Sequence, residues 1–167
     1  TEAPSNFNIL NMLSLFSHPN FAWNIRSMLC MFLAGYFTFL FARSLKITTY
    51  SSFVCGLVFM FTDSVAVEHL HIISFMIPLV LLVLAKAVSR RSYRWVSLAS
   101  ILMTIFYLNS NPQHLIYVFP FCCAYLIFRY IGMSERYSIK DFLSIAGIFL
   151  LLTVGLSSLQ ILRTLEI

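Results

Sequence analysis

Long apolar segments alternate with short polar gaps along the 167 residues, and their spacing predicts six membrane-crossing helices. A turn at His18-Pro19-Asn20 leads into the first span, roughly Phe21–Ala42, with Trp23 at headgroup level. The second, Ile47–Thr62, returns, and the third, about Val65–Ala85, carries Pro78 inside it. Membrane helices tolerate such a proline when neighbours satisfy the carbonyl it frees. Between Trp95 and Phe128 there is no Asp, Glu, Lys or Arg. As one helix this stretch would be roughly 50 Å long, against a hydrocarbon core of about 30 Å, so it must fold back. Asn109-Ser110-Asn111-Pro112-Gln113-His114 is the break, giving spans four and five. The last span is Phe142–Leu162, with Ser138-x-x-Asp141 as a capping box at its start. On that span Ser144, Gly147, Gly155 and Ser158 follow helical spacing and are expected to present a small-residue face to a neighbour. Several uncharged runs fall short of the roughly twenty residues a span needs; snorkelling Lys and Arg, with Tyr50, Tyr93, Trp95 and Tyr130 at the boundary, supply the missing length.

Charge orients these spans. Nine of the eleven Lys and Arg residues fall in every second gap: Arg43–Lys46, Lys86–Arg94 and Arg129–Asp141. The intervening gaps, Asp63–His69 and Asn109–His114, hold none. Basic residues of short loops stay on the cytoplasmic side, so the first set lies inside and the second outside. Both chain ends then lie outside, where only Arg26 and Arg163 depart from the rule. The expected location is a membrane crossed several times, with both termini extracytoplasmic. Composition agrees: the chain is 60% hydrophobic and only 10% charged, where a soluble domain carries about 25% charged residues. A net charge of +5 would suit nucleic acid, but here it sits in loops facing anionic headgroups, so the bilayer is the expected partner.

The chain starts at Thr1 rather than Met and stops after Glu166-Ile167, which reads as an internal fragment of a longer polytopic protein. Residues 1–20 are expected to form an extracytoplasmic, interfacial segment and residues 21–167 the transmembrane region. Thr1 to Asn6 lacks the basic start and apolar core of a signal peptide. Cys30, Cys55, Cys122 and Cys123 all lie in apolar spans, with no spacing for disulfides or zinc, and read as packing residues.

The candidate chemistry gathers at the extracytoplasmic mouth. Asn111-Pro112 reads as an N-cap followed by proline at the first helical position. The free N–H groups and positive dipole end of that helix suit a phosphate, and Gln113 and His114 add donors in the first turn. An ordinary capped hairpin accounts for the same residues. Asp63-Ser64-Val65-Ala66-Val67-Glu68-His69-Leu70-His71 is the acidic cluster between spans. Glu68 and His71, three apart, share a helix face while His69 points elsewhere. A carboxylate beside imidazoles can act as general base, metal ligand or donor-orienting pair, and a solvated loop with an N-cap aspartate is the plainer alternative. Two His at i and i+2 do not converge on a metal, and no catalytic triad, phosphate-cradling glycine loop or dinucleotide fingerprint is present.

Four segments, in order, resemble the YfhO-like family of bacterial integral membrane proteins. They are Ala34-Gly35-Tyr36 through Arg43-Ser44-Leu45; Gly56-Leu57 through Thr62 and on from His69 to Pro78-Leu79; Asn109 to Gln113 followed by Tyr117; and Leu159-Gln160-Ile161-Leu162 with Thr164-Leu165-Glu166. The resemblance runs from about Phe21 to Ile167, with Arg163 where the family has proline and Asp63 where it has a small residue. It implies a glycosyltransferase architecture of the GT-C type: an all-α, polytopic, six-span bundle transferring a sugar from a polyprenyl-phosphate carrier at the outer face. The acceptor would be a cell-envelope glycan or polymer, and the usual catalytic carboxylate would precede Phe21.

The expected function is therefore the core of a membrane glycosyltransferase. Asn111, Gln113, His114 and Arg163 would clamp the departing phosphate, while Asp63, Glu68, His69 and His71 are candidates for acid/base or metal roles. The residues name no cofactor and leave a divalent cation open. A transporter or flippase component is the rival, although charges keep to the span ends rather than forming a path across the bilayer. A noncatalytic membrane scaffold is the third reading.

Overall fold

The computed structural model describes residues 19–62, 75–108, 112–132 and 138–165. Among these the chain is all-helical: α1 (Pro19–Ser44), α2 (Thr49–Met60), α3 (Met76–Arg90), α4 (Tyr93–Leu108), α5 (Pro112–Ile131) and α6 (Ile139–Leu165), with no strand. They fall in two compact units, Thr1–Phe75 and Met76–Ile167. Among the described residues, two helices are long and apolar enough to cross a membrane, α1 over Asn24–Ser44 and α6 over Ile139–Ser158. The second expected span, Ile47–Thr62, contracts to the 12 residues of α2, about 18 Å of helix. Alone that does not cross a core of about 30 Å.

In the first unit α1 and α2 form a hairpin whose turn is closed by backbone bonds. Lys46 N–H donates to the Arg43 carbonyl at 3.0 Å and Ile47 N–H to the Ala42 carbonyl at 3.4 Å, the paired bonds of a Schellman cap. Lys46 sits at φ 64°, in the left-handed region that usually falls to glycine. Two residues later Thr48 caps α2, its Oγ1 accepting the Ser51 N–H at 3.3 Å. The helices meet through small residues. Cys30, Ala34 and Ala42 on α1 and Ser52 and Gly56 on α2 are buried, and the two backbones touch at Gly35 and Gly56. Cys30 therefore packs as expected, whereas Cys55 faces outward.

In the second unit α3 is the central helix. Every residue from Val80 to Ala85 is buried, all the way round, because α4, α5 and α6 all pack on it. Pro78 falls in the first turn of α3, so its missing N–H breaks no bond of the described helix, and residues 65–74 of the expected third span lie outside the described residues. The interior proline is Pro120 in α5, which has no N–H for the Ile116 carbonyl. The α3–α4 turn repeats the device of the first unit. Arg91 N–H donates to the Val88 carbonyl and Ser92 N–H to the Ala87 carbonyl, both at 3.3 Å, with Arg91 at φ 48°.

The face that α6 turns to its neighbours corrects the expected one. Ile145, Phe149, Thr153 and Ser157, four residues apart, are buried, and Ser100 Oγ of α4 donates to the Phe149 carbonyl at 3.4 Å. Gly147 and Gly155 have nothing within 4 Å of a Cβ placed on them. A small-residue stripe leaves room for a partner; the buried face is instead the one carrying the larger contact area. At the start of α6, Ser138 Oγ accepts the Lys140 N–H at 3.3 Å, an N-cap bond to the second helical residue rather than the bond to Asp141 that a capping box makes. The Asp141 carboxylate stands 3.7 Å from the Arg91 guanidinium.

Candidate functional site

Aromatic contacts set the direction of the helices that carry the expected phosphate site. Tyr130 of α5 stacks on Phe142 of α6 at 4.6 Å, and Phe119 stacks on Phe149 at 6.2 Å. One pair lies near the end of α5 and the start of α6, and the other lies toward the opposite ends, so these two helices run antiparallel. The N-terminus of α5 and the C-terminus of α6 therefore share one end of the second unit.

Proline takes the first position of α5, at Pro112, as the sequence predicts. Gln113 and His114 fall in the first turn of α5 and Arg163 in the last turn of α6. Measured from the Phe119–Phe149 level at about 1.5 Å per residue, the Arg163 backbone lies roughly 13 Å farther along the axis than that of His114. The fold thus brings them to one end but to different depths. The side chains of Gln113, His114 and Arg163 lie outside the described residues, as do Asn111 and the whole cluster of Asp63, Glu68, His69 and His71. No group of three His, Cys, Asp or Glu stands together for a metal ion among the described residues.

The opposite end of this unit is built from the charged gaps. Here α3 ends, α4 begins, α5 ends and α6 begins. Lys86 Nζ lies 5.1 Å and the Arg90 guanidinium 5.7 Å from the centre of the Trp95 ring. Arg129 Nη2 donates to Ser89 Oγ at 3.2 Å, and Ser144 Oγ is 3.4 Å from the Tyr93 hydroxyl. The Arg91–Asp141 pair completes the set, but both partners are about half exposed, so it contributes little to stability. Reading the sequence placed Tyr93, Trp95 and Tyr130 at this boundary. It did not foresee that one indole would hold two cations, although Lys86 and Arg90 stand one helical turn apart, a spacing that puts both on one face.

Buried hydroxyls form a second group that spacing alone did not reveal. Thr104 Oγ1 donates to the Ser100 carbonyl at 2.9 Å, whereas Thr153 Oγ1 and Ser157 Oγ are buried without a hydrogen-bond partner. The signal available in the sequence was their spacing of four from Phe149. No protein-family model matches this chain, and neither a curated protein nor a solved structure is significantly similar to it.

Proposed function

We propose that this chain crosses a bilayer six times and forms the core of a membrane glycosyltransferase that uses a polyprenyl-phosphate sugar donor. The observation that carries the membrane part is the outward exposure of large apolar side chains along the helix middles. Phe32 is 59% exposed, Phe53 55%, Phe121 55% and Leu151 75%. In water each would forfeit the gain of burial, about 1.5–3 kcal/mol for a side chain of this size, whereas lipid tails remove that cost. Cations meanwhile collect where α3, α4, α5 and α6 begin or end, the level of headgroups. Bilayer thinning and snorkelling accommodate the short helices.

The transferase part rests on the residue types in the Asp63–His71 and Asn109–His114 gaps and at Arg163. Transfer requires a base to take the proton of an acceptor hydroxyl as its oxygen attacks the anomeric carbon, while the phosphate leaves with the bonding pair. Asp63, Glu68, His69 and His71 are the candidates for the base. The free N–H groups of the first turn of α5, with Asn111, Gln113, His114 and Arg163, are the candidates for the phosphate clamp. A leaving phosphate gains negative charge, so such donors stabilise the transition state more than the ground state. The acceptor is an envelope glycan or polymer.

The test is transfer of labelled sugar from a polyprenyl-phosphate donor in membranes. Removing one such donor costs about a hundredfold in rate, so His114→Ala and Arg163→Ala are expected to depress transfer with expression and insertion intact. Parental rates in both variants would reject the clamp.

A further inference from the structure

Two cations on one indole, with no carboxylate beside them among the described residues, make an anion site. Lys86 and Arg90 stand one turn apart on α3, and both lie within 6 Å of the Trp95 ring centre on α4, at 5.1 and 5.7 Å. Like charges this close repel, and the face of the indole offsets only part of that. Asp141 is the one carboxylate among the described residues, and it lies beside Arg91. Arg129, a further cation, is held alongside through Ser89. The positive dipole end of α4 starts two residues before Trp95. The cations and the starts of α4 and α6 favour a negative ligand, against the ends of α3 and α5 and the Asp141 carboxylate, and Trp95 is an amphipathic ring suited to headgroup depth.

We propose that Lys86, Arg90 and Trp95 form a binding site for the phosphate of an anionic phospholipid. Lys86 and Arg90 meet the phosphate oxygens, and the indole fixes the two side chains in place so that little rotamer freedom is lost on binding. The lipid is the occupant that fits, because the exposed apolar helix faces leading away from this end give its acyl chains a surface. This inference rests on the membrane reading above but not on the glycosyltransferase chemistry.

Trp95 itself is the reporter, since the chain has 2 Trp and Trp23→Phe leaves one. The protein carrying that substitution is reconstituted in vesicles of phosphatidylcholine with 20 mol% of a lipid brominated near the headgroup, either phosphatidylglycerol or phosphatidylcholine. Bromine quenches indole fluorescence on contact. Quenching by the brominated phosphatidylglycerol is expected to exceed that by brominated phosphatidylcholine, reflecting roughly fivefold enrichment for each cation engaged. Lys86→Gln with Arg90→Gln should bring the two to equality, whereas Arg43→Gln with Lys46→Gln, which removes the same charge elsewhere, should leave the preference in place. Lys86→Arg with Arg90→Lys should retain it. Should the double Gln variant fail to fold, each single Gln variant is expected to lose a measurable part of the preference. Equal quenching by both lipids in the starting protein, or a preference that survives the Gln substitutions, overturns the site. Absence of quenching by either lipid removes Trp95 from the bilayer and overturns the membrane reading as well.

Discussion

A Cβ placed on Gly56 would stand 2.7 Å from the carbonyl oxygen of Gly35, and one placed on Gly35 would stand 3.0 Å from that of Gly56. The two helices of the first unit thus meet backbone to backbone, at a separation that no side chain permits. In the bilayer proposed above the contact would matter beyond its size, because lipid tails are as apolar as the helices and offer no hydrophobic drive for association. Close approach and the dispersion it brings are what remain to hold such a hairpin together.

Gly56→Val should therefore destabilise the hairpin by about 1–3 kcal/mol, the usual range for overpacking, and Gly56→Ala should also destabilise it. Gly147→Ala and Gly155→Ala, where the new Cβ meets nothing within 4 Å, should be neutral or gain up to about 1 kcal/mol from helix propensity. Unfolding in mixed micelles titrated with SDS, followed by circular dichroism, measures both. A Gly56→Val protein as stable as the parent would show that the close approach is not formed.

Lys46 and Arg91 occupy left-handed positions at helix ends, with φ of 64° and 48°. Lys46→Gly should raise stability by about 0.5–1 kcal/mol, because glycine adopts that conformation without the Cβ clash. Arg91→Gly should gain less, since it also loses the exposed pair with Asp141, worth about 0.2–1 kcal/mol. The same SDS titration ranks the two variants. A larger gain at Arg91 than at Lys46 would contradict this assignment.

Thr153 and Ser157 bury hydroxyls that find no partner. Thr153→Val and Ser157→Ala should be neutral or stabilising, by up to about 1 kcal/mol, since they remove an unsatisfied polar group. Ser100→Ala should instead cost about 0.6 kcal/mol, since its hydroxyl has acceptors in the Val96 carbonyl at 3.1 Å and the Phe149 carbonyl at 3.4 Å. Clear destabilisation in Thr153→Val would mean that its hydroxyl has a partner in the membrane-embedded protein.

The nine-to-two division of basic residues between alternate gaps predicts topology. In a background without native cysteines, Ser110→Cys should react with an impermeant maleimide in intact cells. Ser92→Cys should react only after permeabilisation. The reverse pattern would move the candidate phosphate site to the cytoplasmic side.

What the sequence determined by itself is the order of the described helices and several of their starts and stops. Charge-free apolar runs, the Asn109–His114 break, Pro112 at a helix start and Ser138 at another are local signals, set by side-chain chemistry within a few residues. The two left-handed caps were not legible, because the chain places Lys and Arg where glycine is the usual signal. The burial of α3 was not legible either: a helix apolar all round reads alike whether it faces lipid or other helices. Tertiary structure alone chose Ile145, Phe149, Thr153 and Ser157 over the Gly147–Gly155 stripe as the packed face of α6, since several faces of that helix are apolar. It likewise brought Gly35 against Gly56 and put Lys86 and Arg90 on Trp95. These are meetings between elements, and they depend on how helices cross, which composition and periodicity do not encode.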